Sequence, residues 1–401
     1  MKKLNPIARL ALLLVLLIVA YSLFAIGACL LPDEPVKRHV VQTLERGDLQ
    51  ADYPRAIMPR SECQLDNYTD ALILNQAYLC SRDSLLRSAF GNSHSTIGNA
   101  STEVLANLVA GHAEATDRYA RYWHGSTFVA RCLLLALDYT AIRYLLYFVS
   151  SLLFVAAAVV VWRRAGWLPV VAAAAALLAV RVFVAQFSLQ LLPVVAIAVV
   201  AATALALPRT RGHEQAVMLV AGSLTAFFDL LTAPVLTLGL PLCAAIWFMP
   251  NDTGLRRGLR HVAGLTAVWA VAYVATWAAK WLIASLVLPD NVFADAFNTI
   301  GYRTSDIESW SRLDAIAVNL KVLPWSYLLL ILAAFVVVAL VRFSPRRWVK
   351  SLLFVVVALL PYAWYLMAAN HSYLHSWFTY RAQAVSVCAL LLAVGALRTE
   401  N

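Results

Sequence analysis

The chain has 401 residues, 62% hydrophobic and 13% charged, against about 45–50% apolar and about 25% charged in an ordinary soluble domain. That composition excludes a single-core soluble enzyme, a disordered tail, a collagen and a disulfide-rich mini-protein. The net charge of +10 would suggest a nucleic-acid partner in a soluble protein, but no basic stretch here carries an aromatic stacking platform.

A bilayer-spanning helix needs about 20 mostly apolar residues. Ten stretches qualify in chain order: 10–31, 140–162, 167–184, 189–207, 215–231, 233–249, 262–288, 323–341, 352–369 and 381–397. Only Gln186 and Ser188 split the third from the fourth; Asp229, Thr232 and Pro234 split the fifth from the sixth. The expected fold is an all-α polytopic membrane protein of about ten transmembrane helices with a large first extracytoplasmic loop. Its parts are a first span (1–31), a loop with amphipathic helices (32–139) and a nine-helix bundle (140–401) with outer loops at 289–322 and 370–380.

With the N-terminus inside, the inner segments hold 15 basic residues and three acids (Glu214, Asp252, Glu400), net +12. The basic set is Lys2, Lys3, Arg9, Arg163, Arg164, Arg209, Arg211, Arg256, Arg257, Arg260, Arg342, Arg346, Arg347, Lys350 and Arg398. The rest carries 17 basic and 19 acidic residues, net −2. Basic inner loops are what the positive-inside rule requires, so both termini are expected in the cytoplasm. Ile26-Gly27-Ala28-Cys29 resembles a lipoprotein cleavage box, but Leu30, Leu31 and Pro32 continue the apolar run, so an uncleaved span is expected. Of six Cys, Cys63 and Cys80 share the outer segment and are candidates to pair.

Polar residues are expensive at membrane depth, so their positions carry information. The inner loops are short and contain no phosphate-binding G-x-x-x-x-G-K-[ST] loop, which places any chemistry on the outer side. Asp66 and Asp70 stand four apart at a helix start, either as tuned carboxylates for general-base work or as acids favoured by the helix dipole. Arg118-Tyr-Ala-Arg121-Tyr122-Trp-His124 supplies guanidinium forks and rings, for a phosphate and a sugar face or for an interfacial belt, ahead of Arg131, Asp138 and Arg143. Asp229 ends an apolar stretch and needs a partner. Arg181 and Lys280 lie in apolar stretches, either facing a lipid phosphate or pairing with Asp229 or Asp138. The densest cluster is Asn370-His371-Ser-Tyr-Leu-His375-Ser-Trp-Phe-Thr-Tyr380-Arg381. His371 and His375 have i,i+4 spacing without the Glu of H-E-x-x-H, so phosphate or sugar hydrogen bonding fits better than a metal.

The strings NYTDALILN (67–75), RYWHG (121–125), FFDLLTAP (227–234) and NHSYLHSWFTYR (370–381) resemble an uncharacterised family of bacterial polytopic membrane proteins. The architecture is similar to the GT-C glycosyltransferases, which use polyprenyl-phosphate-linked sugars on the outer membrane face. That resemblance implies a base in the first outer loop, matched by Asp66 and Asp70, although about 35 residues separate them from the first span and Asp33-Glu34 lies closer. It further implies that Arg121, Arg381 and Lys280 neutralise the lipid phosphate. Tyr122, His124, Asn370, His371, His375 and Tyr380 would orient sugar or phosphate, and Asp229 would position a cation or the acceptor. The expected partners are a lipid-linked donor, membrane lipids and an envelope glycan acceptor, with no cofactor required and a divalent metal left open. The expected location is the bacterial cytoplasmic membrane. The competing classes are a transporter or flippase of lipid-linked sugars and a non-catalytic envelope assembly protein.

Overall fold

The computed structural model describes residues 5–49, 51–55, 58–306, 310–341, 343–344 and 347–398. Lys2, Lys3, Arg342, Arg346 and Glu400, counted in the charge sort, lie outside them. The architecture is all-α, 74% helical, with one antiparallel pair of two-residue strands, Ser93–His94 and Asp117–Arg118.

Helix α1 (Pro6–Cys29) starts where the Asn5 side chain accepts from the Ala8 amide at 2.7 Å, with Pro6 in the first turn where its missing N–H costs nothing. A cap of short helices follows: α2 (Asp33–Glu45), α3 (Asn67–Leu79), α4 (Leu85–Gly91), α5 (Ser101–Val109) and α6 (Gly125–Leu133). The bundle is α7 (Tyr139–Ala165), α8 (Trp167–Ala179), α9 (Val182–Ala185), α10 (Leu191–Leu205), α11 (Glu214–Phe228), α12 (Leu236–Phe248) and α13 (Leu255–Val287). Then come α14 (Val292–Thr304), α15 (Arg312–Lys321), α16 (Trp325–Val341), α17 (Trp348–Ala358) and α18 (Leu360–Met367). The chain ends with α19 (Ala369–Leu374), α20 (Ser376–Thr379) and α21 (Ala384–Gly395).

Every one of the ten apolar stretches contains helix. Among the described residues, five helices are long and apolar enough to cross a membrane, or six if the α15–α16 pair, bent by 80°, is one span. Helices α8, α10, α11 and α12 are apolar but shorter. A 13-residue helix rises about 20 Å, less than the roughly 30 Å of a hydrocarbon core. Two irregular joints shorten them: Arg181 takes φ 53° between α8 and α9, and Leu231 takes φ 70° between α11 and α12. Irregular backbone at that depth is tolerated only where protein buries it or where it lines a wet cavity.

Burial in the bundle is inverted relative to a soluble protein. Leu16, Leu23, Phe148, Val155, Leu330 and Leu340 are exposed, while Ser223, Thr225, Thr237 and Thr276 are fully buried. Such a surface requires an apolar solvent. Inside, a Cβ on Gly222 would lie 2.3 Å from the Trp269 carbonyl oxygen, and one on Gly239 would lie 2.2 Å from Val385. Only glycine permits α11 to approach α13, and α12 to approach α21, this closely.

The cap is held by Arg131 of α6, wholly buried. It donates to the carbonyls of Ala28 (2.9 Å), Ala77 (2.5 Å) and Leu31 (3.2 Å), and pairs with Asp33. Beside it a disulfide joins Cys29 to Cys80, whose Cα atoms are 5.7 Å apart. The expected Cys63–Cys80 pairing is thus corrected: the end of α1 and the end of α3 meet, whereas Cys63 is free and buried with Leu65 and Val184. Cys29, the residue of the lipoprotein-like box, is occupied by this bond. At the opposite end of the bundle, Arg347 donates to the Arg398 carbonyl at 3.1 Å and Lys350 to the Trp247 carbonyl at 2.9 Å.

Candidate functional site

A polar cavity of about 480 Å³ lies between the cap and the bundle. One wall is the start of α3, with Asp66, Thr69 and Asn75, backed by His94 of the strand pair. The floor is made by the stretch between α9 and α10 and by the joint between α11 and α12, through Gln190, Leu230 and Thr232. The facing wall is Arg303 of α14 with His371, His375, Trp377 and Phe378, and Tyr53 and Tyr119 complete the lining.

Asp66 is the N-cap of α3, and its Oδ1 accepts from the Thr69 amide at 3.0 Å. Burial pushes its carboxyl above the usual carboxylate range, against the Thr69 donors and the nearby Arg381 guanidinium. Asp70, one turn on, is turned away from the cavity. Its Oδ2 accepts from the Tyr139 hydroxyl at 2.8 Å and its Oδ1 from the Leu189 amide at 3.1 Å, which ties α3 to α7 and to the joint after α9. Burial raises it to about 7, with Arg143 pulling it down. The two carboxylates expected to share one task therefore sit in different surroundings.

On the facing wall the Arg303 guanidinium donates to His371 Nδ1, so His371 Nε2 carries the hydrogen and donates to the Leu231 carbonyl at 2.7 Å. Burial first, then Arg303 and His375, holds His371 well below its ordinary value. Burial and Arg303 also lower His375, to about 4, and its ring stacks on Phe378 at 5.1 Å. Both imidazoles are neutral at pH 7, and the wall's positive charge resides on Arg303. The two His rings are 4.9 Å apart, yet among the described residues no three His, Cys, Asp or Glu side chains converge as metal ligands.

The other expected site residues are distributed differently. Arg121 pairs with Asp295 at 3.0 Å and lines a second polar recess of about 500 Å³ with Arg118 and Asp290. Tyr122 is buried edge-on to Trp277 at 5.5 Å. His124 takes φ 57° at the start of α6, its Nε2 3.0 Å from the Tyr119 carbonyl oxygen; burial, then Lys280, holds it well below its ordinary value. Lys280 is wholly buried and donates to the Phe90 carbonyl and to Asn92 Oδ1, both at 2.9 Å, so it anchors α13 to α4 and pairs with neither Asp229 nor Asp138. Asp138 pairs with Arg46, and Arg181 with Glu62 at 3.0 Å.

Asn370 donates to the Tyr302 carbonyl at 2.9 Å and to Ser305 Oγ at 3.2 Å, fastening α19 to α14. The Tyr380 hydroxyl donates to the Val180 carbonyl at 3.0 Å. Arg381 donates to the Trp377 carbonyl at 3.2 Å, while its Nε and Nη2 are buried without a partner. Asp229 lies just behind the floor: its Oδ1 accepts from Thr232 N at 2.8 Å and from Thr232 Oγ1 at 2.5 Å. Of the twelve expected residues, Asp66, His371 and His375 line the cavity.

Sequence reasoning missed Arg303, His94 and Gln190, while Tyr119 stood within the Arg118–His124 cluster without being singled out. Arg303 stands in the 289–322 segment among other charged residues, and no spacing distinguishes it. An apolar groove of about 300 Å³ runs between α6, α7 and α10, lined by Leu146, Val149, Leu153, Leu192 and Ile197 and ending at Phe228. The Phe228 carbonyl accepts from Gln190 Nε2 at 3.3 Å, so groove and polar cavity share a boundary. No family model, curated protein or solved structure matches the chain.

Proposed function

We propose that this protein is a membrane-embedded glycosyltransferase, similar to the GT-C type, that moves a sugar from a polyprenyl-phosphate donor to an envelope acceptor on the outer face of the cytoplasmic membrane. The observation that carries the reading is the arrangement of the polar cavity. A buried carboxylate, Asp66, faces a guanidinium–imidazole wall, Arg303 with His371, and an apolar groove abuts the floor. In this reading α8, α10, α11 and α12 cross the membrane as short helices with irregular ends, which brings the span count to ten with both termini inside.

The lipid chain lies in the groove beside Leu146 and Leu192, and its phosphate meets Arg303. Arginine presents a planar fork to phosphate oxygens. His375 and Trp377 hold the sugar against the facing wall. Asp66 accepts the proton of the acceptor hydroxyl as that oxygen bonds to the anomeric carbon. The bond from the anomeric carbon to the phosphate oxygen breaks, and the lipid phosphate leaves with its charge stabilised by Arg303. A carboxyl raised by burial is a stronger base than a solvated one. Arg381 lies within electrostatic reach of Asp66 and favours its ionised form, opposing the effect of burial.

The test is transfer from a radiolabelled polyprenyl-phosphate sugar by purified protein in liposomes, with Asp66→Asn and Arg303→Gln as variants. Full activity in both sinks the residue roles, and no transfer by wild type from any donor sinks the reaction. Reporter fusions after residues 100, 165, 310 and 375 test sidedness: a cytoplasmic signal at 100 or 375 overturns the outward-facing site.

A further inference from the structure

Helix α13 carries an aromatic stripe at i,i+4 spacing, Trp269, Tyr273, Trp277 and Trp281, turned into the bundle. Neighbouring rings stand 5.0, 4.9 and 6.1 Å apart. The two ends of the stripe are satisfied: Trp269 Nε1 donates to Thr237 Oγ1 at 3.1 Å, and Trp281 Nε1 to the Arg121 carbonyl at 2.9 Å. The middle is not. Among the described residues the Tyr273 hydroxyl and Trp277 Nε1 are buried without a partner, and so is Asp229 Oδ2. Asp229 is 1% exposed, Tyr273 6% and Trp277 9%.

These orphaned groups belong to one place. Tyr273 lies within electrostatic reach of Asp229, Tyr122 and Arg303, and the Trp277 ring is 5.5 Å from that of Tyr122. The place adjoins the polar cavity, because Arg303 and Thr232 line the cavity and Thr232 holds the other oxygen of Asp229. Buried polar groups are rarely left unpaired, and three neighbours left so mark a position that another molecule completes.

Their chemistry selects that molecule. An ionised carboxylate only accepts, an indole N–H only donates, and a phenol does both. A phosphate would satisfy the indole and the phenol but would confront the Asp229 carboxylate with a like charge. An ammonium would satisfy Asp229 but leave the indole unpaired. A hydroxyl both donates and accepts, and adjacent hydroxyls on a ring would reach all three groups while the C–H face of that ring rests on the aromatic stripe.

We propose that Asp229 Oδ2, the Tyr273 hydroxyl and Trp277 Nε1 form a hydroxyl-binding subsite for a neutral carbohydrate ring, buried behind Thr232 where the bundle adjoins the polar cavity. The inference rests on the glycosyl-transfer reading only in expecting that ring to be the transferred or accepting sugar. It makes Asp229 a binding residue for sugar hydroxyls, separate from Asp66 on the opposite wall.

The experiment uses full-length protein in lipid nanodiscs, titrated with octyl β-D-glucoside, galactoside and mannoside and with the O-permethylated form of each, which keeps the ring but has no hydroxyl donor. Wild type should bind at least one glycoside, and its permethylated form about tenfold or more weaker. Asp229→Asn and Trp277→Phe should each weaken the same glycoside by about tenfold. Trp277→Phe keeps an aromatic ring on the stripe while removing the indole N–H with its five-membered ring, so it stands if Asp229→Asn fails to elute as a monodisperse peak. Binding by no glycoside, equal binding of glycoside and permethylated form, or unchanged affinity in the folded variants would overturn the subsite and leave water as its only occupant. Asp229-dependent glycoside binding without any sugar transfer keeps the subsite while the transferase reading falls. Transfer by wild type with unchanged acceptor KM and donor KM in Asp229→Asn overturns the subsite alone.

Discussion

The two polar hollows at the capped end are nearly equal in size, about 480 and 500 Å³, yet they differ in what their side chains have left to offer. In the larger one four of the five charged residues form two pairs, Arg118 with Asp290 at 2.5 Å and Arg121 with Asp295 at 3.0 Å, and Asp117 is left over. In the other, Arg303 is committed to an imidazole rather than to a carboxylate, and Asp66 faces it across the space. The recess has more formal charges and less unspent electrostatic potential. A count of charged residues therefore favours the recess, and a count of charges lacking an opposite partner favours the cavity of the proposed reaction.

The strongest way to break this contrast is Asp66→Asn. Removing a general base costs about 10²–10⁴ in rate, and transfer assays on the liposome-reconstituted protein should read a loss of that order. Arg303→Gln follows, with an expected loss of about 10²–10³ in kcat, the scale for removing a group that stabilises developing charge. Activity within about twofold of wild type in Arg303→Gln would move the phosphate site elsewhere, with the unpartnered nitrogens of Arg381 as the next position to test.

A smaller effect concerns Asp70 and sharpens its separation from Asp66. Its folded value, about 7, is raised above the ordinary carboxyl range by burial. The folded protein therefore holds a proton that the unfolded chain has released between about pH 4 and pH 7, and stability contributed by this group falls as pH rises through that window. The thermal unfolding midpoint of wild type should decline from pH 4.5 to pH 7.5 more steeply than that of Asp70→Asn. Parallel profiles would mean that Asp70 is ionised throughout. The smallest effect is expected in the recess. Arg118→Gln should cost about 0–1 kcal/mol, as exposed ion pairs do, and leave transfer within about twofold of wild type.

Much of this molecule is legible in its sequence because one signal, apolar run length, is strong and local. It locates helix in all ten stretches. It does not reveal that four of those helices are short, nor that α8 stops and α11 and α12 are parted at left-handed backbone, at Arg181 and Leu231, whose surroundings come from distant parts of the chain. The site is legible where polar residues crowd a short segment, as at His371 and His375. It is illegible where the deciding partner is remote. Asp66 and Asp70 look alike in the chain, and what separates them is Tyr139 and Leu189, 69 and 119 positions from Asp70. In the chain Cys63 is the nearer candidate partner for Cys80 for the same reason, while its actual partner sits 51 positions away at the end of α1. Asp229 was read as an acid in need of a partner, and one of its oxygens still has none among the described residues.

The Arg131 clamp has a consequence for the order in which the protein is made. Its guanidinium reaches carbonyls at the end of α1 that precede it by up to 103 positions. At roughly 5–20 residues per second, those carbonyls are synthesised about 5–20 s before the side chain that captures them. Cys80, the covalent partner of the end of α1, follows Cys29 by only 51 positions, so the disulfide partner of that terminus is made well before the guanidinium. A chain stalled before residue 131 would therefore hold the end of α1 to α3 through the disulfide alone, without the guanidinium that fastens both to α6.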